Sequence, residues 1–398
     1  MGRDASNPKN SRRVAWLMRN RATTVVIGAG IIGASIAYNL ARRGAKNVVV
    51  VDESRAGSGS TAASLGGFRH QFSNELSVKL SIESIGVIEK FKELTGFDPL
   101  VAHDGYLFLA TSEKSFLQLN ENRILQESLG VPVDLLTPQE LLEHYPFYNF
   151  KGVLGGTFCA KDGHASTSTI HQGFITKAKE LGVEFYEDTE VKKIECGGSR
   201  VKGVVTTKGE IHSEKAVIAA GAFSGRVGAL ASVEIPIKPY PRKVFFLTRN
   251  LPESIPPQIP LIVDVDSTLA VGRDGKMILF ADNTSTGPSF ELSFPQDYEQ
   301  KVISKLLRRV PSLARASISH SVSGLYEMTP DANPISSEIS EVEGLYCCAG
   351  FSGHGFMHSP AIGALMAELI LDQKPHLDIS SYHIKRFENK TQREQLVI

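Results

Sequence analysis

The 398-residue chain is poor in cysteine, in net charge and in long apolar runs. Its four cysteines, Cys159, Cys196, Cys347 and Cys348, form no C-x-x-C pair, and two are adjacent. Neither a zinc site nor a disulfide framework is implied. A reducing, cytoplasmic compartment is the expectation. Lys and Arg total 43, as do Asp and Glu, so the formal charge is zero. No global basic field exists to hold nucleic acid or an anionic membrane. No apolar stretch reaches the roughly 18 residues of a membrane-spanning helix, and the N-terminus lacks the apolar core of a secretory signal. Without that signal, the sequons at Asn283 and Asn389 carry little weight. Repeats and low-complexity segments are absent too.

Ordinary globular usage remains, with 42% hydrophobic and 22% charged residues. The length suggests two or three domains and a core large enough to need no staples. Residues 1–22 carry six basic residues (Arg3, Lys9, Arg12, Arg13, Arg19, Arg21) and one acid, Asp4. A frayed extension and an Arg-rich transit peptide both fit this. The second would make the location mitochondrial; association with a membrane through a partner is a further alternative.

Glycine is abundant, at 35 residues, and its placement is informative. The β-branched run 23–27 breaks into Gly28-Ala29-Gly30-Ile31-Ile32-Gly33. A helical stretch (34–43) and the buried strand 48–51 complete a βαβ unit ending in Asp52 and Glu53. In this G-x-G-x-x-G pattern, Gly28 permits the tight turn, Gly30 lets the backbone approach a pyrophosphate, and Gly33 lets helix pack on strand. The helix N-terminus offers free N–H groups and partial positive charge to the phosphates. Asp52 stands 24 residues after Gly28, where an acid binds a ribose hydroxyl. Glu53 shares that role or is simply solvated.

Further along, helices are expected over 75–95 and 169–181, with a small antiparallel insert between 191 and 213. A strand at 216–221 runs into Gly221. Residues 233–325 are proline-rich, with short strands and a helix over 298–310. A last strand ends at Gly350, before a glycine-dense loop and a helix over 359–371. Glycine-ended strands thus occur near 28, 221 and 350, separated by segments of another texture. One nucleotide-binding domain interrupted by a second is the simplest architecture.

Three later blocks decide between cofactors. Gly59-Ser60-Thr61, Val217-Ile218-Ala219-Ala220-Gly221 and Ala349-Gly350-Phe351-Ser352-Gly353-His354-Gly355-Phe356 resemble the FAD-dependent D-amino-acid oxidase superfamily. Leu325-Tyr326-Glu327-Met328-Thr329-Pro330-Asp331 strengthens the likeness, which is greatest to the sarcosine oxidase and dye-linked proline dehydrogenase β-subunit branch and covers about 22–375. It implies an α/β fold with a Rossmann-like, glutathione-reductase-type FAD domain, interrupted by an α+β substrate domain with a mostly antiparallel sheet. The FAD domain is expected at 23–95, 152–232 and 322–390, and the substrate domain at 96–151 and 233–321, after a basic extension at 1–22. FAD contacts are expected from Gly28, Gly30, Ile31, Ile32, Gly33, Asp52, Glu53, Ser60, Thr61, Val191, Ala220, Gly221, Gly350, Gly353, His354, Gly355, Phe356 and Met357. The 350–356 loop suits a flat ring, and the helix after it can stabilise negative charge on a reduced flavin.

For the substrate, the resemblance points to Arg69 as the carboxylate's partner, a role that suits a planar guanidinium. Tyr326 walls the pocket, and His70 either assists proton loss or is structural. Positions where some members attach flavin covalently fall at Gly324 and Thr167, with His164 offset, so FAD is expected to be non-covalent. No metal is expected, although His354 and His358 stand at i, i+4. The lysine that follows the glycine block in sarcosine oxidases is Met357 here. The oxygen-activating lysine aligns with Ile278, with Lys276 close by, which favours an acceptor other than oxygen. The implied reaction is oxidation of an amino acid or N-alkyl amino acid by hydride transfer to flavin N5, giving an imine that hydrolyses. Its implied partners are the substrate, an electron acceptor (oxygen, quinone or partner subunit) and further subunits of a hetero- or homo-oligomer. Alternatives are a flavin-bearing subunit of a hetero-oligomeric dehydrogenase, a hydroxy-acid or glycerol-phosphate dehydrogenase, and a flavin-binding assembly protein without turnover.

Overall fold

The computed structural model describes residues 18–284, 286–389 and 393–397. Most of the basic extension therefore lies outside the described residues. Two sheets dominate. The first has six strands in the spatial order Ile335–Glu338, Leu345–Ala349, Lys215–Ile218, Thr24–Ile27, Val48–Val51, Glu184–Tyr186. All its pairings are parallel except that of the Ile335–Glu338 edge strand. Its central strands are buried on both faces, hence their continuous Val/Ile runs. Val26, Val48 and Val50 pack under the helices Ile31–Arg42 and Gly355–Ile370. Val25, Val49 and Ile218 pack against the insert, a three-stranded sheet of Val191–Gly197, Arg200–Thr206 and Gly209–His212.

The two helices lie very close. A Cβ at Gly363 would stand 2.1 Å from Ser35 Oγ, whose hydroxyl donates to Ser359 O at 2.7 Å. Pro360 lies inside the second helix and cannot donate to Phe356 O. The Ser359 hydroxyl takes that carbonyl instead, at 2.8 Å. This helix starts at Gly355, four residues earlier than expected, inside the glycine-dense loop. The helix expected over 75–95 is two, Glu75–Glu89 and Phe91–Thr95.

The second sheet has eight strands, in the order Ser317–Met328, Lys238–Arg249, Met277–Asp282, Leu269–Asp274, Leu261–Asp264, Tyr106–Ala110, Gly155–Cys159, Asp134–Leu136. Only Leu261–Asp264 with Tyr106–Ala110 is parallel. The helix Tyr298–Arg309 buries Tyr298, Val302 and Leu306 against it. Arg309 Nη2 holds the buried Asp264 at 2.6 Å.

Sheet membership moves two expected boundaries. Gly155–Cys159 pairs with Tyr106–Ala110, so the second sheet extends beyond 151. Ser317–Met328 pairs with Lys238–Arg249 along its length, so residues 322–328 belong there too. The Leu325–Asp331 motif had drawn attention to its chemistry rather than to the strand containing most of it.

Candidate active site

A cavity of about 750 Å³ runs from the C-terminal ends of the parallel strands onto the face of the second sheet. That is where open α/β sheets bind ligands. At one end, Gly28 has φ +112°, and a Cβ there would lie 2.3 Å from Ala219 O. Gly33 would place a Cβ 1.9 Å from Gly28 O. Both glycines are demanded by the protein's own packing. Gly30 differs, for its Cβ would meet only Thr61 Oγ1, at 3.3 Å. The hydroxyl of Thr61 accepts from Ile31 N–H at 3.0 Å.

Asp52 accepts from Ala29 N–H at 2.7 Å and Ser54 N–H at 2.9 Å. Burial nonetheless outweighs those bonds and raises its carboxyl above the ordinary range. Glu53, Ser60, Ile32, Val191, Ala220 and Gly221 line the same end. The Ser60 hydroxyl donates across to Leu325 O at 2.8 Å, tying this loop to the second sheet.

Gly353, His354, Gly355, Phe356 and Met357 form another wall. A Cβ at Gly353 would fall 2.3 Å from the Tyr326 ring, so the loop needs glycine there. His354 is buried, and desolvation holds its imidazole well below the ordinary range and neutral. His358 accepts or donates at Ser81 Oγ, 3.0 Å away, and burial pushes it down to about 3.

Three expected site residues do not line the cavity. Gly33 packs helix on strand. Gly350, at φ +84°, makes room for Thr329 and Ile237. His70 points away, its Nδ1 and its N–H both on Asp162 Oδ1, at 2.8 and 2.7 Å. Sequence adjacency to Arg69 suggested a shared site, but that pair turns the ring into the core. Cys159 joins His70 and Asp162 within 4.8 Å, as a ligand set might. Asp162 is already satisfied by His70 and by Gln71 Nε2 at 3.1 Å, so the cluster supports itself.

Arg69 lines the cavity but is only 1% exposed. Its Nη1 donates to Gln71 O and its Nη2 to Leu396 O. Its carbon lies 3.8 Å above the Phe72 ring centroid. Leu396 belongs to a tail anchored by Glu394, whose carboxylate accepts from Ser73 N–H and from Asn74 Nδ2 at 2.7 Å. Tyr326 stands on the cavity wall with Arg242 beside it, 5.2 Å from ring centroid to guanidinium carbon.

Arg242 and Glu327 had escaped the sequence reading. Arg242 lies in a proline-rich segment where only short strands are expected, and Glu327 lies inside the Leu325–Asp331 motif, whose likeness assigns it no role. Glu327 Oε2 has no hydrogen-bond partner among the described residues. Desolvation pushes its carboxyl up to about 7, although the Gly350 and Phe351 N–H groups favour the charged form. Thr167 and Gly324 also line the cavity. Ile278 is fully buried in the sheet and Lys276 is exposed at a hairpin turn, so neither reaches the cavity.

These residues fit FAD. Gly30 leaves the approach to a helix N-terminus open, Asp52 puts a carboxylate at the same end of the cavity, and Gly353 and Gly355 keep the opposite wall thin. Among the described residues, no helix is long and apolar enough to cross a membrane.

Comparison with known proteins agrees. A 28% identical relative, glycine oxidase of Geobacillus kaustophilus, aligns with 93% of this chain and 98% of its own. The 4-methylaminobutanoate oxidase (formaldehyde-forming) of Paenarthrobacter nicotinovorans is 26% identical over 92% of this chain, which spans only 45% of that protein's length. The crystal structure of L-proline dehydrogenase from P. horikoshii superposes with a TM-score of 0.87 at 32% identity, covering 94% of this chain and 100% of that one. The model of the DAO family, FAD dependent oxidoreductase, matches residues 23–369. The chain therefore belongs to the DAO family and is an FAD-dependent oxidoreductase.

Proposed function

We propose that this chain oxidises the C–N bond of an amino acid or N-alkyl amino acid, of the sarcosine, proline or glycine type, beside non-covalently held FAD. The observation that carries this is a cavity joining the dinucleotide cradle to a pocket lined by Arg69, Arg242 and Tyr326. Neither arginine donates to a carboxylate there; their acceptors are backbone carbonyls. The cationic half thus suits an anionic substrate. Relatives named for acting on glycine, proline and 4-methylaminobutanoate point the same way.

FAD supplies the hydride acceptor, at N5. The protein's task is to hold the substrate's carboxylate end on a cation, wall it with Tyr326 and exclude water. The amine must be unprotonated, because an ammonium has no lone pair to drive hydride loss. The carbon loses hydride, the nitrogen becomes an imine, and water then hydrolyses it. His70 takes no direct part in this reading. With Ile278 where an oxygen-activating lysine would stand, the electrons pass to a quinone, a dye or a partner subunit.

Turnover with an artificial dye acceptor tests the assignment. Amino acids and N-methyl amino acids are expected to reduce the dye, whereas the matching 2-hydroxy acids are not. Turnover confined to hydroxy acids would overturn it.

A further inference from the structure

We propose that Arg242, rather than Arg69, makes the direct contact with the substrate's carboxylate, using the Tyr326 ring as its neighbour; this rests on the amine-oxidation reading above. The two arginines share one cavity but differ in availability. Arg69 is 1% exposed, and its terminal nitrogens are held by Gln71 O and Leu396 O. Phe72 covers one face of its guanidinium. A carboxylate taking it as a fork would compete with the Gln71 and Leu396 carbonyls for those nitrogens. Leu396 is itself 5% exposed and packed with Tyr106, Phe108 and Val263. Arg69 is thereby built into the wall, where its charge adds to the field behind the substrate.

Arg242 is the opposite case. Among the described residues its one side-chain hydrogen bond is from Nη1 to Pro241 O, at 2.9 Å, which leaves Nη2 without an acceptor; Nε lacks one too, as it does in Arg69. The strand register sets Arg242 opposite Gly324, and Tyr240 opposite Tyr326. Side chains two residues apart share a sheet face. Arg242, Tyr240 and Tyr326 therefore project together, and the glycine leaves no side chain opposite the arginine. The guanidinium carbon lies 5.2 Å from the Tyr326 centroid and 5.9 Å from that of Tyr240. Two rings limit its swing, so its charge is pre-positioned while donors remain free. That is the condition for a strong carboxylate contact.

The test uses FAD-loaded protein and two probes of one shape, acetate and acetamide, read by the shift each causes in the flavin absorption. Wild type is expected to bind acetate at least tenfold more tightly than acetamide. Arg242→Gln should abolish that preference, Arg242→Lys should retain part of it, and added guanidinium should restore acetate binding to Arg242→Ala. FAD content and melting temperature verify that each variant is folded. Retention of the full preference by folded, FAD-loaded Arg242→Gln would overturn the assignment. So would equal binding of the two probes by wild type. The readout needs no turnover, so a protein that prefers acetate yet is reduced by no amine would refute the amine reading and leave this one standing.

Discussion

Gly30 is the position where cofactor binding and folding separate most cleanly. Its backbone, at φ −71° and ψ −177°, is open to alanine without strain. The added methyl would meet Thr61 Oγ1 at 3.3 Å and no other protein atom within 4 Å. It would, however, occupy the entrance to the helix N-terminus, where the pyrophosphate must lie. Forcing one extra methyl into a packed contact costs about 1–3 kcal/mol, or about 5- to 150-fold in Kd. Gly30→Ala should therefore purify with depleted FAD, bind added FAD correspondingly more weakly, and melt as apoprotein close to wild type. Gly28→Ala supplies the contrast, because its methyl would fall 2.3 Å from Ala219 O at a positive φ. That variant should lose fold and FAD together. Absorbance of bound flavin, FAD titration of apoprotein and a thermal melt measure all three quantities. A Gly30→Ala protein with wild-type FAD affinity would refute the cradle, as would one that unfolds like Gly28→Ala.

Other outcomes follow from the same geometry. Replacing Arg69 with alanine strips a donor from the buried Gln71 and Leu396 carbonyls; a loss of about 1–3 kcal/mol for each orphaned carbonyl is expected in denaturant unfolding, against little change for Arg242→Gln. Asp331 takes two bonds from Arg386, at 2.8 and 3.1 Å, so Asp331→Asn should cost a similar amount and its melting temperature should fall. Burial raises the Glu327 carboxyl from 4.5 to about 7, so the folded state holds a proton that the unfolded state releases. Its contribution to stability is full below about pH 4.5 and is lost as pH rises through about 7. Melting curves of Glu327→Gln should lack that decline; an unchanged pH slope would place the titration elsewhere. Glu394→Ala should expose the tail and speed its proteolysis, a result read directly by mass spectrometry.

Much of this was legible because certain residues answer to local physics. The glycine fingerprint, the four-valine strand and Asp52 form one contiguous βαβ unit, and spacing alone revealed it. The glycine-dense loop at 350–356 likewise pointed to a flat ligand. Long-range pairing was less visible. Ser317–Met328 and Lys238–Arg249 are twelve-residue partners, but Pro239 and Pro241 disguise one of them. Arg242 and Tyr326 lie 84 positions apart in sequence and meet only through that register. His70 could not be separated from Arg69 by sequence, because the Asp162 that turns it inward is 92 residues away. The Glu394–Leu396 tail carries no motif, and its hold on Arg69 exists only in the folded chain.

In the proposed reaction an amine gives its hydride to the flavin in this cavity. The most direct measurement is the visible spectrum of the FAD-loaded protein, kept free of oxygen, as sarcosine, L-proline, glycine and a D-amino acid are added in turn. One of them should bleach the flavin bands, and admitting air should restore the colour only slowly. A yellow protein that no amine bleaches, but a hydroxy acid does, would contradict it.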